Sequence, residues 1–430
     1  MSNPVLSPGE AGYLGSLLQR IRSSRMARQA AWLFGLNTLA KGLVFLGSAY
    51  AAKCLGPANL GVSAMIISLG QLVVVLVGGG LDTVAVRHIA ANPSAAGGIT
   101  RAIVAFRWRM LAVILPLGLG AAIWLTPREQ ALAWSVGALI PIATSFSLLF
   151  VFQGLEKLPM QAMVSVLTST LAAFAFSLFH PGMPMGSDLV VLAASGLIGV
   201  GVNSWLFLRL THAPEGKGTV SAIRPLLLES RPYWILAVVV YCYSTLQVPL
   251  VGYMVGKESL GVYRSAIMLA AGLELFYNSV NSLLLPRLVA WQQHGPAYLW
   301  CRQKELLVLF LVIGGVVSAV LILSAPLIYH HLLGTEFSKA VLPFQILVVG
   351  RLVVFVGQIF AWSLTALRLD RQFFSASLAG AFFSVSANLL LVPKFGIVAA
   401  AVVSLVAELL VHALCFLAIR RHSSSTHLAS

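Results

Sequence analysis

Residues 30–80 read AAWLFGLNTLAKGLVFLGSAYAAKCLGPANLGVSAMIISLGQLVVVLVGGG. Two apolar runs, 30–52 and 61–80, flank a short turn that contains Gly56 and Pro57. An α-helix needs about 20 apolar residues to cross the hydrocarbon core of a bilayer. The stretch therefore predicts a helical hairpin that crosses a membrane twice.

The rest of the chain has the same character. Of its 430 residues, 59% are hydrophobic and 10% are charged, and the mean hydropathy is +0.91. Soluble domains carry about 25% charged residues, so this composition excludes a soluble enzyme, a disordered chain and a disulfide scaffold. Runs long enough to span a bilayer recur, and we predict twelve helices: 30–52, 61–80, 103–125, 131–153, 159–179, 188–208, 233–255, 261–286, 305–325, 341–366, 372–392 and 396–419.

The distribution of basic residues predicts an orientation. With the N-terminus in the cytoplasm, twenty of the 28 Lys and Arg residues fall in cytoplasmic loops or tails and five in the opposite loops. Cytoplasmic loops of membrane proteins carry such an excess. We therefore interpret the net charge of +15 as a topology signal, not as a nucleic-acid surface, and expect both termini in the cytoplasm.

The segment 1–29 has no apolar core before its arginines, so we expect no cleaved signal peptide. Leu14, Leu17, Leu18 and Ile21 recur at helical spacing among basic residues. This pattern favours an interfacial helix on the membrane surface over a disordered basic tail.

A repeat at an offset of 200 residues divides the chain. Residues 56–62 read GPANLGV and residues 256–262 read GKESLGV, each at the turn between the first two helices of a six-helix unit. Parallel repeats of this kind are related by an axis along the membrane normal, with a cavity between them. We predict an all-α polytopic membrane protein of two six-helix bundles, with these parts: a basic segment 1–29, bundles 30–210 and 233–419, a cytoplasmic linker 211–232 and a tail 420–430.

Several junction motifs resemble those of the bacterial polysaccharide transporters, the lipid-linked oligosaccharide (O-antigen) flippases of the multidrug/oligosaccharidyl-lipid/polysaccharide exporter superfamily. They are Leu55-Gly56-Pro57-x-x-Leu60-Gly61; Gly80-Leu81-Asp82 with Arg87-x-Ile89-Ala90; Leu260-Gly261-Val262-Tyr263 with Glu274 and Pro286-Arg287-Leu288; Leu333-Gly334-x-Glu336-Phe337-x-x-Ala340; and Asn388 with Val392-Pro393-x-Phe395-Gly396-Ile397 and Ala399-Ala400. The resemblance covers about residues 30–420, and Arg264 departs from it, since a small or apolar residue is expected there.

This resemblance implies transport of a polyprenyl-diphosphate-linked oligosaccharide, such as an O-antigen or exopolysaccharide repeat unit, across the bacterial inner membrane by alternating access. It implies no bond-breaking chemistry, no cofactor and no metal. The expected partners are the lipid-linked substrate and membrane lipids, and a polysaccharide polymerase or other assembly proteins are left open.

Ionisable and amide side chains inside the predicted spans are the candidate cavity residues, because such groups are costly in a bilayer and are usually functional. On the eighth helix, Arg264, Glu274, Asn278 and Asn281 project to one side. Arg264 is a candidate phosphate contact and the amides are candidate sugar contacts. The alternative is that the stripe joins helices by hydrogen bonds.

The first and tenth helices add further candidates. Asn37 and Lys41 lie one turn apart, and Lys41 is either a phosphate contact or the ion-pair partner of Glu274 or Glu408. Arg351 and Gln358 share a face of the tenth helix, and Arg351 lies deep in its span. Arg351 is therefore the best single candidate for an anion contact.

Two further pairs are candidates for coupling and gating. Glu408 and His412, one turn apart on the twelfth helix, would relay a proton, with Glu274 as another ion-coupling candidate. The alternative for His412 is a wet position near the cytoplasmic end. Asp82 and Arg87 would form either a gate salt bridge or an ordinary interfacial pair.

Two other functions stay open. A drug or cation antiporter of the same superfamily predicts that acidic groups dominate the cavity, whereas the deep residues here comprise three bases and two acids. An integral-membrane oligosaccharide polymerase or ligase predicts a large outside loop, and the longest predicted one is 326–340.

Overall fold

A computed structural model describes residues 25–210, 223–281, 288, 291, 296–367 and 369–427 of the chain. Within them the regular structure is entirely helical. The α-helices are α1 (Arg25–Gly78), α2 (Leu81–Ala91), α3 (Ala96–Leu125), α4 (Ala131–Gly137), α5 (Leu139–Ser145), α6 (Leu149–Gly154), α7 (Leu158–Ser177), α8 (Ser187–Leu210), α9 (Ile223–Ser244), α10 (Gln247–Val255), α11 (Lys257–Asn281), α12 (Pro296–Ile328), α13 (Val341–Ala366) and α14 (Asp370–His427).

These helices supply the expected passes through a membrane. Nine segments of the described chain are long and apolar enough to cross a bilayer. Two of them, Thr38–Gly78 and Asp370–Arg421, have 41 and 52 residues, and each folds as two arms. Helix α11, of 25 residues, is not among these nine segments; with it, the described helices correspond to the twelve predicted ones, and the eighth, 261–286, is described as far as residue 281.

The two arms of α1 separate at Gly56, where φ is 74° and ψ is 169°. Gly256, between α10 and α11, has nearly the same conformation, with φ 94° and ψ 165°. Positive φ is easily accessible only to glycine, so the repeated motif encodes the same turn twice. The fold thus confirms two six-helix bundles, which we call the N-lobe (25–210) and the C-lobe (223–427).

Glycines of positive φ also break the chain at Gly334 and within α14 at Gly396. Since they follow alternate passes, the four turns at Gly56, Gly256, Gly334 and Gly396 lie at the same end of the helices. We call this the glycine-turn end.

Two predicted single helices are broken. The span 131–153 is divided into α4, α5 and α6, and the span 233–255 into α9 and α10. Pro141 and Pro249 explain two of the breaks, because a proline ring clashes with the carbonyl four residues earlier and lacks an amide hydrogen. The gap between α5 and α6 has no proline, and the Ser145 carbonyl at its start accepts a hydrogen bond from the side chain of Arg107.

Several boundaries also differ from the prediction. Helix α9 begins at Ile223, so the second half of the predicted linker 211–232 is helical, and α14 continues to His427, through most of the predicted tail. The predicted interfacial helix lies almost wholly outside the described residues, which begin at Arg25 in helical conformation.

The lobes meet along α1 and α11 toward the glycine-turn end. The largest buried cluster joins Ala52, Leu60 and Ala64 of α1 to Leu260 and Tyr263 of α11. A methyl group placed on Gly272 of α11 would lie 3.1 Å from the Phe45 ring of α1. Gly272 lies about 24 Å along α11 from Gly256, so the two helices stay in contact well beyond the glycine-turn end.

At the opposite end, α9 packs against the N-lobe. The His88 ring nitrogen Nε2 lies 2.8 Å from the Glu229 carboxylate, and Arg87 lies over the Tyr233 ring. Further along α9, the Tyr241 hydroxyl donates a hydrogen bond to the Ser68 carbonyl at 3.0 Å. Helix α9 therefore belongs to the C-lobe in sequence and contacts both lobes.

Candidate functional site

A backbone contact between the lobes forms the base of the candidate site. Gly61 of α1 and Gly261 of α11 lie at the crossing of the two helices. A methyl group on Gly61 would overlap the Lys257 carbonyl oxygen, and one on Gly261 would overlap the Pro57 carbonyl oxygen. Small residues at such crossings allow helix backbones to touch, so the lobes are closed here without intervening side chains.

A small cavity with two opposite charges lies beside this crossing. It has a volume of about 40 Å³, and its lining includes Ser63, Asp188 and Arg264. Asp188 is 6% exposed and accepts a hydrogen bond from the Ser63 hydroxyl at 2.7 Å. Arg264 interacts with Asp188 electrostatically across the cavity, and it makes no hydrogen bond or ion pair within the described part of the chain.

The polar stripe predicted on the eighth helix divides between two environments. Arg264 faces the N-lobe at the cavity, whereas Glu274 faces α13 inside the C-lobe. The expectation of one cavity-facing stripe is therefore wrong for these two residues. The side chains of Asn278 and Asn281 lie outside the described residues.

Arg351, predicted as an anion contact, is bound by a carboxylate of its own chain. Its Nη1 atom lies 2.7 Å from Oε1 of Glu274, and the two side chains are 25% and 38% exposed. Its Nε atom is buried without a hydrogen-bond partner among the described residues. The ion pair joins α11 to α13 and neutralises the charge of Arg351.

Glu408 and His412 lie next to this pair on α14. Oε2 of Glu408 is 3.7 Å from Nδ1 of His412, and Glu408 also interacts electrostatically with Arg351 and Glu274. His412 is buried against Gly357 of α13, so the alternative of a wet position at a helix end is wrong. No guanidinium or ammonium group within the described residues lies at ion-pair distance from Glu408.

Lys41 is exposed on α1 and makes no ion pair with any described residue. The alternative that pairs it with Glu274 is wrong, because that carboxylate is bound to Arg351. Gln358 is half-buried on α13. The side chain of Asn37 lies outside the described residues.

The predicted pair of Asp82 and Arg87 does not form. Oδ1 of Asp82 lies 2.6 Å from Nη2 of Arg107, while Arg87 lies over the Tyr233 ring. Arg107 is 2% exposed, and its Nη1 donates to the Ser145 carbonyl at 2.7 Å. Ser145 is the last residue of α5, so the break before α6 leaves its carbonyl without a hydrogen bond inside the helix. The guanidinium of Arg107 supplies that hydrogen bond.

Asp188, Ser63 and Arg107 are the polar residues that sequence reasoning missed. Asp188 is the second residue of its helix, where an acid is ordinarily explained by the helix dipole. Its partner Ser63 is 125 residues away, and no local pattern links them. Arg107 lies inside the predicted span 103–125, and a charged residue within an apolar run was a usable signal.

The described residues contain no group of three His, Cys, Asp or Glu side chains that could hold a metal ion.

Two lobes of six helices, with a helix crossing at one end and ionisable groups within the spans, define a polytopic membrane transporter. The chain belongs to the polysaccharide biosynthesis protein family, whose sequence model matches residues 26–292. Among curated protein sequences, none matches the chain.

Solved transporters share this fold at low identity. The chain is similar to an inward-facing multidrug resistance MATE family transporter of the MOP superfamily, with a TM-score of 0.70 and 13% identity over 93% of this chain and 99% of that one. It is equally similar to the lipid II flippase MurJ in its inward closed conformation, with a TM-score of 0.70 and 13% identity over 90% and 87% of the chains. With an outward-facing MATE family transporter the TM-score is 0.51, at 14% identity over 96% and 99%.

Proposed function

We propose that the chain is a flippase that moves a polyprenyl-diphosphate-linked oligosaccharide across the bacterial inner membrane by alternating access. Membership of the polysaccharide biosynthesis family supports a polysaccharide precursor as substrate, and the two-lobe fold supports a carrier. In this proposal the glycine-turn end faces outward and both termini are cytoplasmic, as the distribution of Lys and Arg predicts. A polysaccharide polymerase is the partner expected to take up the product.

The observation that carries the proposal is a half-buried cation beside the contact between the lobes. Arg264 lies about 12 Å along its helix from Gly256, and no described residue gives it a hydrogen bond or an ion pair. Such a guanidinium is costly inside a membrane unless a ligand or water compensates it. A diphosphate is a fitting ligand, because its oxygens accept paired hydrogen bonds from the planar guanidinium.

Lys41 supplies a second cation nearer the opposite end. It lies about 22 Å along α1 from Gly56, and it is exposed. Methyl groups on the neighbouring Gly35 and Gly42 would meet no atom of a described residue within 4 Å. This part of α1 is therefore accessible, and we assign it to the cytoplasmic entrance through which the head group reaches Arg264.

The driving force needs no nucleotide. A membrane potential that is negative inside favours outward movement of an anion by about 2.3 kcal/mol per charge per 100 mV. Consumption of the product outside would add to this driving force.

Drug or cation antiport is the second candidate function. Glu408, a half-buried carboxylate that no cation neutralises among the described residues, favours it. When Asp188 is added to the deep residues counted from the sequence, three acids (Asp188, Glu274 and Glu408) stand against three bases (Lys41, Arg264 and Arg351), which weakens the argument from charge alone.

A polymerase or ligase is less well supported. The segment that was expected to hold the longest outside loop forms a π-turn, Tyr329–Leu333, and a 3-10 helix, Thr335–Ala340. Tyr329, Leu333 and Phe337 are buried there. This packing leaves no long free loop between α12 and α13 for a catalytic residue, and we propose that the chain is not an enzyme.

The proposal is tested by a flipping assay in proteoliposomes with a short diphosphate-linked oligosaccharide on a polyprenyl carrier. We expect flipping by the wild type and a loss of at least tenfold in Arg264→Ala and Lys41→Ala. Lys339→Ala, which removes an exposed cation at the glycine-turn end, is the matched control and should flip normally. If the wild type flips nothing but expels a cationic dye against a proton gradient, antiport replaces the flippase.

A further inference from the structure

Asp188 and Arg264 are opposite charges that belong to different lobes. Asp188 lies on α8 of the N-lobe and Arg264 on α11 of the C-lobe, and the two side chains line the same cavity of about 40 Å³. Ser63, also on the N-lobe, holds the Asp188 carboxylate by a hydrogen bond of 2.7 Å. The carboxylate is therefore fixed in place, while the guanidinium across the cavity is not.

The position of this pair relates it to the closure of the lobes. It lies next to the crossing at which Gly61 and Gly261 touch the opposite backbone. Any separation of the lobes at the glycine-turn end moves Arg264 away from Asp188. Both charges would then remain in a poorly polar environment without compensation, so their attraction opposes this separation.

An anionic ligand weakens the attraction between Asp188 and Arg264 that opposes separation of the lobes. A diphosphate that enters from the opposite end meets Arg264 as a free donor, and it brings more negative charge than one carboxylate. Once the guanidinium is bound to the ligand, Asp188 no longer restrains it.

We propose that Asp188 is a positioning residue that restrains Arg264 while the glycine-turn end is closed, and that the diphosphate of the substrate displaces it to permit opening. This inference rests on the proposed function for the identity of the anion. The restraint itself depends only on the two side chains and the helix crossing.

The test uses spin labels at Lys53→Cys and Lys394→Cys, exposed positions of the two lobes near the glycine-turn end, with the four native cysteines replaced by Ala. Distances between the labels are measured with and without a short-chain polyprenyl diphosphate. In the parent protein without ligand, we expect only short distances between the labels. With the ligand, we expect an additional population of molecules in which the labels are farther apart. In Asp188→Asn we expect the longer population without ligand, and a severalfold tighter binding of the diphosphate because its competitor has been removed.

Glu129→Gln is the matched control. Glu129 and Lys257 form an ion pair between the lobes at the same end, at 3.5 Å, but both side chains are largely exposed. Exposed pairs contribute little, so this variant should behave like the parent. A merely structural role of Asp188 would lower the melting temperature without tightening the binding of the diphosphate.

The proposal is overturned if Asp188→Asn keeps the parent's distances and affinity. If that variant does not fold, Arg264→Gln tests the same restraint and should give the longer population without ligand; unchanged distances would overturn the proposal. A wild type that neither binds the diphosphate nor flips would refute the proposed function and the displacement step, whereas a longer distance in Asp188→Asn would still support the restraint.

Discussion

Gly61 and Gly261 occupy equivalent places in the two lobes, and each lies against the main-chain carbonyl four residues before the other. The offset of 200 residues in sequence thus becomes a reciprocal contact on the axis that relates the lobes. No side chain separates the two helices at this point.

Gly261→Ala should therefore destabilise the closed form. The added methyl group would overlap the Pro57 carbonyl oxygen and force the helices apart, at a cost of about 1–3 kcal/mol. Thermal unfolding of the purified protein and the flipping rate measure the effect. Gly315→Ala on α12, where a methyl group meets no atom of the described residues within 4 Å, is the control and should unfold no earlier than the wild type. Equal stability of both variants would contradict the close crossing.

Arg107→Ala should destabilise the N-lobe by about 1–3 kcal/mol, because the buried Ser145 carbonyl would lose its donor. Asp82, whose side chain is 59% exposed, can be solvated by water and adds less. Arg101→Ala, on the exposed side of the same helix, should change stability by no more than about 0.5 kcal/mol. Chemical unfolding compares the two, and a similar loss in both would argue against the role of Arg107 at the break in the span.

Arg351 and Glu274 should show coupling in a double-mutant cycle. Arg351→Ala and Glu274→Ala each leave one partly buried charge unpaired, whereas the double variant leaves none. We expect the double variant to be more stable than the sum of the single losses implies, by about 1–3 kcal/mol. Additive losses, determined by thermal unfolding, would show that Arg351 acts alone, as an anion contact does.

Glu408→Gln separates ion coupling from substrate binding. If Glu408 and His412 carry a proton, flipping in the variant should continue, but an imposed pH gradient should no longer accelerate it. Flipping with and without the gradient is measured in proteoliposomes. Glu305→Gln, which changes an exposed carboxylate on α12, should respond like the wild type. An unchanged response in Glu408→Gln would remove this residue from the coupling candidates.

The helices and their arrangement in two bundles could be predicted from the sequence, for identifiable physical reasons. Apolar runs of bilayer length must form helices, and the repeated turn requires glycine twice, at Gly56 and Gly256. Both signals are local. The breaks before Pro141 and Pro249 were equally readable from the sequence, but they were not predicted.

The pairing of charges was less predictable, because it depends on which helices touch. Lys41 was the partner considered for Glu274, and helix periodicity alone does not choose between Lys41 and Arg351. Packing of α11 against α13 brings Glu274 to Arg351, whereas Arg264 of α11 and Asp188 of α8 line one cavity beside α1. Such contacts join residues more than 70 positions apart, so they follow from tertiary structure and not from spacing.

The glycine crossing also bears on how well the membrane is sealed. A carrier with room for an oligosaccharide head group would leak protons and salts if its closed end contained a water-filled gap. Backbone-to-backbone contact at Gly61 and Gly261 leaves no such gap at the crossing, and the adjoining cavity of about 40 Å³ has room for no more than a few water molecules. The proposed transport of a bulky cargo is thus compatible with the ion gradients of the cell, because at this crossing the barrier is main chain.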